Sequence, residues 1–303
     1  MTAAQLSAQP PATRGLSIPP GVAWILFGAC IIGLAPILTR VSEIGPLATA
    51  GWRMLFAALA LLPFWVMERR ADRAAHRVTA FSIAPVLLAG LFFAIDIGFF
   101  HTSLTLTSVA HATLVVNLAP LIALGAGLLL FRERFGGLKV AGLVLSLAGA
   151  LAMTSGRADV AGTLEGNALA FAGMFGYAAY LIALKYARRD ASTLAVMTLS
   201  SAASAVLLLG TAALSGEAFW PQSVAAWTIV IVLGLVVHAL GQGLVTIGMR
   251  ETPVGLASIL LLMQPIGATV CAWFIFGEIL GALELAGAIA VLTGIGMATR
   301  ARN

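Results

Sequence analysis

Six polar side chains lie inside long apolar stretches of the sequence, and their groups could bind a small polar molecule. They are Asn117, Tyr177, Tyr180, His238, Gln242 and Gln264. His238 and Gln242 are four residues apart, which would place them on one face of a helix, where they could hydrogen-bond a carboxylate. Tyr177 and Tyr180 are three residues apart and would point the same way, so they could stack against an apolar or aromatic ligand. The alternative for each pair is packing against a neighbouring helix.

Two charged residues, Asp96 and Arg53, also lie deep in apolar stretches. Asp96 stands in the segment FFAIDIGFF, and a carboxylate within a membrane is costly unless it is protonated, paired or in contact with water. Asp96 could therefore carry a coupled proton or bind an amine, or it could be a structural partner of Arg53 or His101. We expect Arg53 to form a structural pair, with binding of a ligand carboxylate as the alternative. His238 is a second candidate for a coupled proton, and the absence of any coupling is a third possibility.

Three of the prolines within apolar stretches are candidate helix kinks: Pro36, Pro120 and Pro265. A proline leaves one backbone carbonyl without its usual amide donor and bends the helix. Asn117 lies three residues before Pro120, and Gln264 directly precedes Pro265. The sequence predicts kinked helices whose polar groups line a cavity. The alternative is ordinary proline in a membrane helix, which neighbouring helices tolerate.

These residues need a scaffold, and the composition defines its class. Of 303 residues, 60% are hydrophobic and 10% are charged, with a mean hydropathy of +1.02, whereas a soluble domain carries about 25% charged residues. Apolar segments long enough to span a bilayer occur at 20–40, 46–67, 80–101, 107–131, 137–155, 164–185, 192–214, 224–248, 254–276 and 281–299. Because long unalternating segments cross lipid as helices, we predict an all-α membrane protein with ten transmembrane helices in a lipid bilayer.

Lysine and arginine are distributed unevenly between the two ends of these segments. Fourteen of the 17 lie in loops or tails on the side of the N-terminus, Arg40 and Arg157 lie on the other side, and Arg53 lies within a segment. Positively charged short loops remain in the cytoplasm. We therefore predict an inner-membrane protein with both termini, including a polar tail at 1–19, in the cytoplasm. The net charge of +5 reports this orientation and predicts no nucleic-acid partner.

The sequence also repeats itself at a distance of 145 residues. FRERFGGLKVAG at 131–142 aligns with FGEILGALELAG at 276–287. The alignment continues along most of the chain and predicts two five-helix repeats, 20–155 and 164–299. Because five is odd, the second repeat must cross the membrane in the opposite direction, which explains why it lacks the positive charges of the first copy. Inverted repeats are typical of secondary transporters, which alternate between two oppositely facing states.

The repeated phrase carries residues with structural roles. Glu133 and Glu278 stand where one helix ends and the next begins, and a carboxylate near a helix N-terminus caps free amides and offsets the dipole. Matching small residues predict close helix packing; they are Gly142, Gly149, Gly287 and Gly294.

The pattern Thr-Ser-x-Ala-x-Ala-x7-Pro of the first half reads Thr-Pro-x-Gly-x-Ala-x7-Pro in the second, and in both halves Phe-x-Glu-x-x-Gly and Gly-x6-Gly follow it. It resembles the EamA domain of the drug/metabolite transporter superfamily over roughly residues 20–299. The Trp of that family's opening motif is missing, since Ile32 and Tyr177 occupy the corresponding positions. The resemblance implies export of amino acids or other small metabolites by a basket-like bundle with a central cavity. A multidrug or nucleotide-sugar-like carrier is the alternative within this class.

Motifs of enzymes and cofactor sites are missing from the sequence. It contains no His-Glu-x-x-His, no Gly-x-Ser-x-Gly and no phosphate-binding Gly-x4-Gly-Lys-Ser/Thr loop. The two cysteines, Cys30 and Cys271, lie in different apolar segments without metal-ligand spacing. We therefore expect no catalytic residues, no metal and no cofactor, and an intramembrane enzyme is the alternative from another class. The sequence leaves open the substrate, the direction of flux and the use of protons.

Overall fold

A computed structural model describes residues 19–71, 80–107, 109–155, 163–276 and 281–300 of the chain. The N-terminal residues 1–18, the loop residue Arg157 and the predicted helix cap Glu278 lie outside these ranges. All structural statements below refer to the described residues.

Ten helical segments in this part of the chain are long and apolar enough to cross a membrane. They are Pro20–Arg40, Pro46–Ala71, Ile83–Leu106, Ala112–Leu130, Gly137–Thr154, Leu164–Asp190, Thr193–Ser215, Val224–Gly248, Val254–Phe274 and Ala282–Arg300. No strand occurs among the described residues. Helices satisfy every backbone hydrogen bond within the segment, as lipid requires. The prediction of an all-α membrane protein with ten transmembrane helices is confirmed.

Six of the ten spans consist of one continuous helix. These helices are Pro46–Ala71, Ala80–Leu106, Gly137–Ser155, Leu164–Asp190, Thr193–Ser215 and Ala282–Arg300. The second and third spans remain continuous although they contain Pro63 and Pro85. Proline in a membrane helix is thus compatible with a regular path when neighbouring groups satisfy the freed carbonyl.

The first, fourth and ninth spans are interrupted next to the three prolines singled out above. The first consists of Pro20–Ile32 and Ala35–Arg40, with Pro36 in the first turn of the second piece. The fourth consists of Val109–Val116 and Ala119–Leu130, with Pro120 in the corresponding position. In the ninth, Val254–Leu260 leads through a 3-10 turn at Leu261–Met263 into Gln264–Phe276, whose second residue is Pro265. Proline fits the first turn of a helix because its missing amide would have no partner there.

The eighth span is irregular without any proline. Its α-helical ends, Val224–Val232 and Gly243–Gly248, are joined by a π-helix at Leu233–Gln242. A π-helical insertion changes the direction in which side chains point, and such insertions are frequent at functional sites. His238 and Gln242 both lie in this segment and are buried.

Glycines bring pairs of helices into close contact. A methyl group added at Gly142 would lie 2.5 Å from the carbonyl oxygen of Gly294, and one at Gly149 would lie 2.5 Å from that of Gly287. The fifth and tenth spans therefore cross with their backbones close together, an arrangement that only small residues permit.

Two further glycine contacts are related by the shift of 145 residues. A methyl group at Gly28 would lie 2.5 Å from the carbonyl oxygen of Gly241, and one at Gly173 would lie 3.2 Å from that of Asp96. Gly173 is 145 positions after Gly28, and Gly241 is 145 positions after Asp96. The first span thus contacts the eighth at the same register at which the sixth contacts the third.

Candidate functional site

A cavity of about 340 Å³ lies between the two halves of the chain. It extends from Tyr177, Gln242 and Gln264, in the middle of their spans, to Arg40 and Val41 at the end of the first span. Arg40 and Val41 are exposed, so the cavity reaches the surface at that end. Most of its wall is apolar, and aromatic groups are supplied by Phe93 and Phe100.

Eight of the ten spans contribute to the cavity wall. The break in the first span, the polar residues of the fourth and the start of Gln264–Phe276 in the ninth all face it. The third span contributes Phe93, Asp96, Ile97 and Phe100, and the sixth and eighth contribute Tyr177 and Gln242. Arg53 of the second span lines the cavity, as the alternative to a structural pair requires, and Met153 and Thr154 of the fifth span line it as well. Within the described residues, the seventh and tenth spans supply no lining residue.

Four of the six polar residues singled out from the sequence line this cavity: Asn117, Tyr177, Gln242 and Gln264. Asp96 lines it as well, and so do Pro36 and Pro265. Pro120 instead lines a smaller adjoining cavity together with Asn117 and Tyr177. Tyr180 and His238 are buried and are not among the lining residues.

Hydrogen bonds between side chains hold the polar end of the cavity in place. Gln264 Nε2 donates to Tyr177 Oη at 3.2 Å, and Gln242 Nε2 donates to Tyr180 Oη at 3.0 Å. The rings of Tyr177 and Tyr180 are nearly parallel, with centroids 6.2 Å apart. Tyr180 therefore positions Gln242 from behind, whereas Tyr177 itself faces the cavity.

His238 belongs to a separate buried group. Its Nε2 lies 2.9 Å from Ser201 Oγ, and its ring lies 5.0 Å from that of Phe93, which also contacts the Tyr180 ring at 4.5 Å. The Nδ1 atom of His238 is buried without a hydrogen-bond partner. His238 is thus separated from the cavity by Phe93, which lines the wall.

Arg53 and Asp96 line the cavity with opposite charges and do not form the expected pair. Arg53 is 3% exposed and Asp96 is 7% exposed, yet no nitrogen–oxygen distance between them is within 4.0 Å. The Nε atom of Arg53 is buried and has no hydrogen-bond partner, and the same holds for Nδ2 of Asn117. His101, the other expected partner of Asp96, lies 3.3 Å from Thr39 Oγ1 and from the carbonyl oxygen of Pro46.

At Arg53 the structure differs from the structural pair that the sequence predicts. Arg53 was expected to be structural because a buried arginine usually has a protein carboxylate as its partner. Its position as a basic residue inside a span was the available signal. Only the fold shows that its side chain lies on the same cavity as Asp96 without touching it.

The family model described as the EamA-like transporter family matches the chain twice, at residues 19–155 and 164–300. The chain belongs to the EamA-like transporter family. It is thus a multi-pass membrane protein that transports small molecules, and the resemblance seen in the sequence is confirmed. One relative, an uncharacterized transporter from Archaeoglobus fulgidus, is 27% identical over 287 residues, which cover 92% of this chain and 96% of that protein.

A solved crystal structure of a protein has a similar fold. It superimposes with a TM-score of 0.78 at 19% sequence identity, covering 94% of this chain and 99% of the other. This likeness extends over nearly the whole transporter and supports the arrangement of its ten spans.

Apolar side chains close the end of the transporter's cavity that lies opposite Arg40. Leu181 and Leu184 follow Tyr177 along the sixth span, and Leu260 and Leu262 precede Gln264 in the ninth. All four are at most 1% exposed. The cavity is therefore open towards one end of the bundle and sealed at the other. No group of three or more His, Cys, Asp or Glu side chains able to hold a metal occurs in the part of the chain that the structure describes.

Proposed function

We propose that this transporter exports small zwitterionic metabolites, most of all amino acids. The observation that carries the proposal is the pair of unpaired opposite charges, Arg53 and Asp96, on the wall of one apolar cavity. Burying a charge without a partner is costly, so the two residues are suited to receive a ligand that brings the partners. A substrate carboxylate would bind the guanidinium of Arg53, and its ammonium group would bind the carboxylate of Asp96.

The remaining wall fits the rest of an amino acid. The buried Nδ2 of Asn117 has no partner and would donate a second hydrogen bond to the substrate carboxylate. Phe93 and Phe100 would contact an apolar or aromatic side chain of the substrate. The volume of about 340 Å³ lies within the range of about 300–1,000 Å³ that is usual for small-molecule sites. Neutral amino acids, including aromatic ones, are therefore the expected substrates.

Transport would proceed by alternating access between two inverted halves, 20–155 and 164–299. Support for the inversion comes from the two matches to one family model and from the glycine contacts that recur after 145 residues. Halves of equal fold and opposite direction can exchange their conformations, so that a site open at one face becomes open at the other. The helix breaks beside Pro36, Pro120 and Pro265 would act as the hinges of this movement.

The excess of Lys and Arg at one end of the spans supports an inner-membrane location with both termini in the cytoplasm. With that orientation, the cavity reaches the outer surface at Arg40 and is sealed towards the cytoplasm. A coupled proton, if one is used, would be carried by Asp96 or by His238. Asp96 is the better placed of the two because it lines the cavity, whereas His238 lies behind Phe93.

Counterflow into proteoliposomes tests the proposal. Vesicles loaded with an unlabelled neutral amino acid should accumulate the labelled form, and unlabelled zwitterions should compete. The corresponding amine without its carboxylate and the acid without its amine should compete at least tenfold less well, because each leaves one buried charge unpaired. Accumulation that responds to a proton gradient, and no longer does so in Asp96→Asn, would add proton coupling.

Equal competition by the amine, the acid and the zwitterion would refute recognition at both charges. Transport confined to sugar nucleotides or large cationic drugs would favour the carriers that the family resemblance leaves as alternatives. Chromatography of the accumulated compound provides the control for an enzyme, since a carrier returns its substrate chemically unchanged.

A further inference from the structure

The turn between the eighth and ninth spans is held by two charged side chains from elsewhere in the chain. Lys185 Nζ, on the sixth span, donates to the carbonyl oxygens of Met249 at 2.9 Å and Thr252 at 2.7 Å. Glu133, in the loop after the fourth span, accepts the backbone N–H groups of Val254 at 2.7 Å and of its neighbour at 3.1 Å. Hydrogen bonds with a charged donor or acceptor are roughly twice as strong as neutral ones.

The hydrogen bonds of Lys185 and Glu133 to residues 249–255 form a clasp, which lies at the sealed end of the cavity. Lys185 directly follows the buried Leu184, and Val254 begins the helix that leads to the buried Leu260. The sixth and ninth spans, which supply the apolar seal, are thus fastened together just beyond it. Opening the cavity at this end would require the turn at 249–255 to leave Lys185.

The shift of 145 residues assigns each member of this clasp a counterpart at the open end. It relates Lys185 to Arg40, Met249 to Leu104 and Thr252 to Thr107. Arg40 is exposed, lines the mouth of the cavity and, among the residues that the structure describes, makes no hydrogen bond or ion pair. A basic residue that binds three carbonyl oxygens at the sealed end (the third is that of Arg250 at 3.4 Å) therefore has an unengaged counterpart where the cavity is open.

We propose that Lys185 and Arg40 are alternating latches, of which one is closed in each facing state. Lys185 holds the turn at 249–255 while the cavity opens beside Arg40. When the cavity opens at the opposite end, Lys185 releases its carbonyl oxygens and Arg40 binds those of Leu104 and Thr107. This inference rests on the proposed exchange between inverted halves, and it names the residues that stabilise each state. The counterpart of Glu133, Glu278, lies outside the described residues, and the proposal does not depend on it.

If the two residues are alternating latches, removing the donors of Lys185 and those of Arg40 must change the populations of the two facing states in opposite directions. Lys185→Met keeps the length of the side chain but removes its donors, which weakens only the state seen here. Arg40→Met weakens only the other state. Because a ligand-free equilibrium shifts by the stability that one state loses, the two variants must move the population in opposite directions.

Cysteine labelling measures this population without any substrate. In a protein with Cys30→Ser and Cys271→Ser, one reporter is Thr269→Cys, in the wall of the cavity, and the other is Ser258→Cys, buried near the sealed end. A membrane-impermeant maleimide is added to the face near Arg40 for the first reporter and to the opposite face for the second. Lys185→Met should slow labelling of the first and speed labelling of the second, so that the ratio of the two rates changes by about tenfold, the change that about 1.4 kcal/mol produces.

Arg40→Met should change both labelling rates in the reverse sense. Lys185→Arg and Arg40→Lys should restore rates near those of the parent, because they keep the donors. Arg134→Met, which removes an exposed positive charge from the loop that contains Glu133, is the matched control and should leave both rates unchanged. Unfolding of a variant would expose both reporters together and is thereby told apart from a shift.

Unchanged labelling in Lys185→Met, or changes of the same sign in Lys185→Met and Arg40→Met, would overturn the latches. Labelling rates that change in opposite directions in the two variants support the latches. If counterflow then finds no amino-acid flux, the proposed substrate is wrong and the latches are retained. Amino-acid flux together with unchanged labelling rates refutes the latches and supports the proposed substrate.

Discussion

Replacing Arg53 by methionine separates the two roles that a buried arginine can have in a carrier. An arginine that stabilises the fold has a partner in the substrate-free protein, whereas an arginine that binds substrate can be left without one. Arg53 is 3% exposed, its Nε has no hydrogen-bond partner, and it forms no ion pair with Asp96. Methionine replaces the aliphatic part of the arginine side chain and removes the charged guanidinium.

The two roles predict different changes in the free energy of unfolding and in the dissociation constant of the substrate. Breaking a buried ion pair destabilises a protein by about 3–5 kcal/mol. No such pair is lost in Arg53→Met, so the free energy of unfolding should stay within about 1 kcal/mol of the parent or increase. A charged hydrogen bond to the substrate is worth about 1.5–3 kcal/mol, so the dissociation constant of a zwitterionic substrate should rise roughly 10- to 150-fold.

Two measurements on the purified protein decide between the roles. Thermal unfolding without substrate should give a midpoint unchanged or raised in Arg53→Met. Titration calorimetry should show weaker binding of the amino acid but nearly unchanged binding of the amine that lacks a carboxylate. Arg53→Lys, which keeps the charge but loses the planar pair of donors, should have an intermediate affinity.

The matching variant Asp96→Asn should behave in the complementary way. It should weaken binding of the amino acid and leave binding of the acid without an amine nearly unchanged. A fall of the unfolding midpoint by many degrees in Arg53→Met, with equal loss of affinity for amine and zwitterion, would refute the reasoning. Arg53 would then be a structural residue.

Three further variants test the scaffold and the polar end of the cavity. Gly294→Ala should destabilise the protein by about 1–3 kcal/mol, because its methyl group would lie 2.5 Å from a carbonyl oxygen of the fifth span; Gly296→Ala, in open space two residues away, should be neutral in the same thermal unfolding assay. Tyr177→Phe removes a cavity-facing hydroxyl that accepts a hydrogen bond from Gln264; it should lower substrate affinity a few-fold, measured by calorimetry, and stability by about 0.5–1.5 kcal/mol. Glu133→Ala leaves two amides of the ninth span uncapped and should lower the unfolding midpoint, whereas Glu133→Gln, which keeps an acceptor, should lower it less.

The sequence was sufficient for the scaffold because one physical constraint governs it. Lipid demands long apolar helices, and ten such helices were predicted and are present. Irregular helices were harder to predict. Pro36, Pro120 and Pro265 accompany breaks or a 3-10 turn, yet Pro63 and Pro85 lie in continuous helices, since neighbouring groups decide how a proline is tolerated. The π-helix at 233–242 has no signal of its own, and it determines where His238 points.

The sequence predicted which polar residues lie in the interior of the bundle, but not which of them line the cavity. A polar residue inside an apolar span must face protein or water, which was enough to identify Asn117, Gln242 and Gln264 as residues of the interior. Sequence spacing does not tell a cavity wall from the layer behind it. Tyr180 and His238 therefore lie one layer away from the cavity that Tyr177 and Gln242 line.

The contrast between scaffold and site bears on how such a carrier can work. Glycines at close helix contacts recur after 145 residues, as the pairs Gly28 and Gly173, Gly142 and Gly287, and Gly149 and Gly294 show. The residues of the site do not recur: Arg53 aligns with Thr198, Asp96 with Gly241 and Tyr177 with Ile32. Two facing states of similar stability need a scaffold whose halves can exchange roles. An amino acid has unlike ends, so a site that binds it needs unlike groups on its two sides. We infer that the symmetric residues serve the movement and the asymmetric ones serve recognition, and that substitutions of the two sets will separate transport rate from affinity.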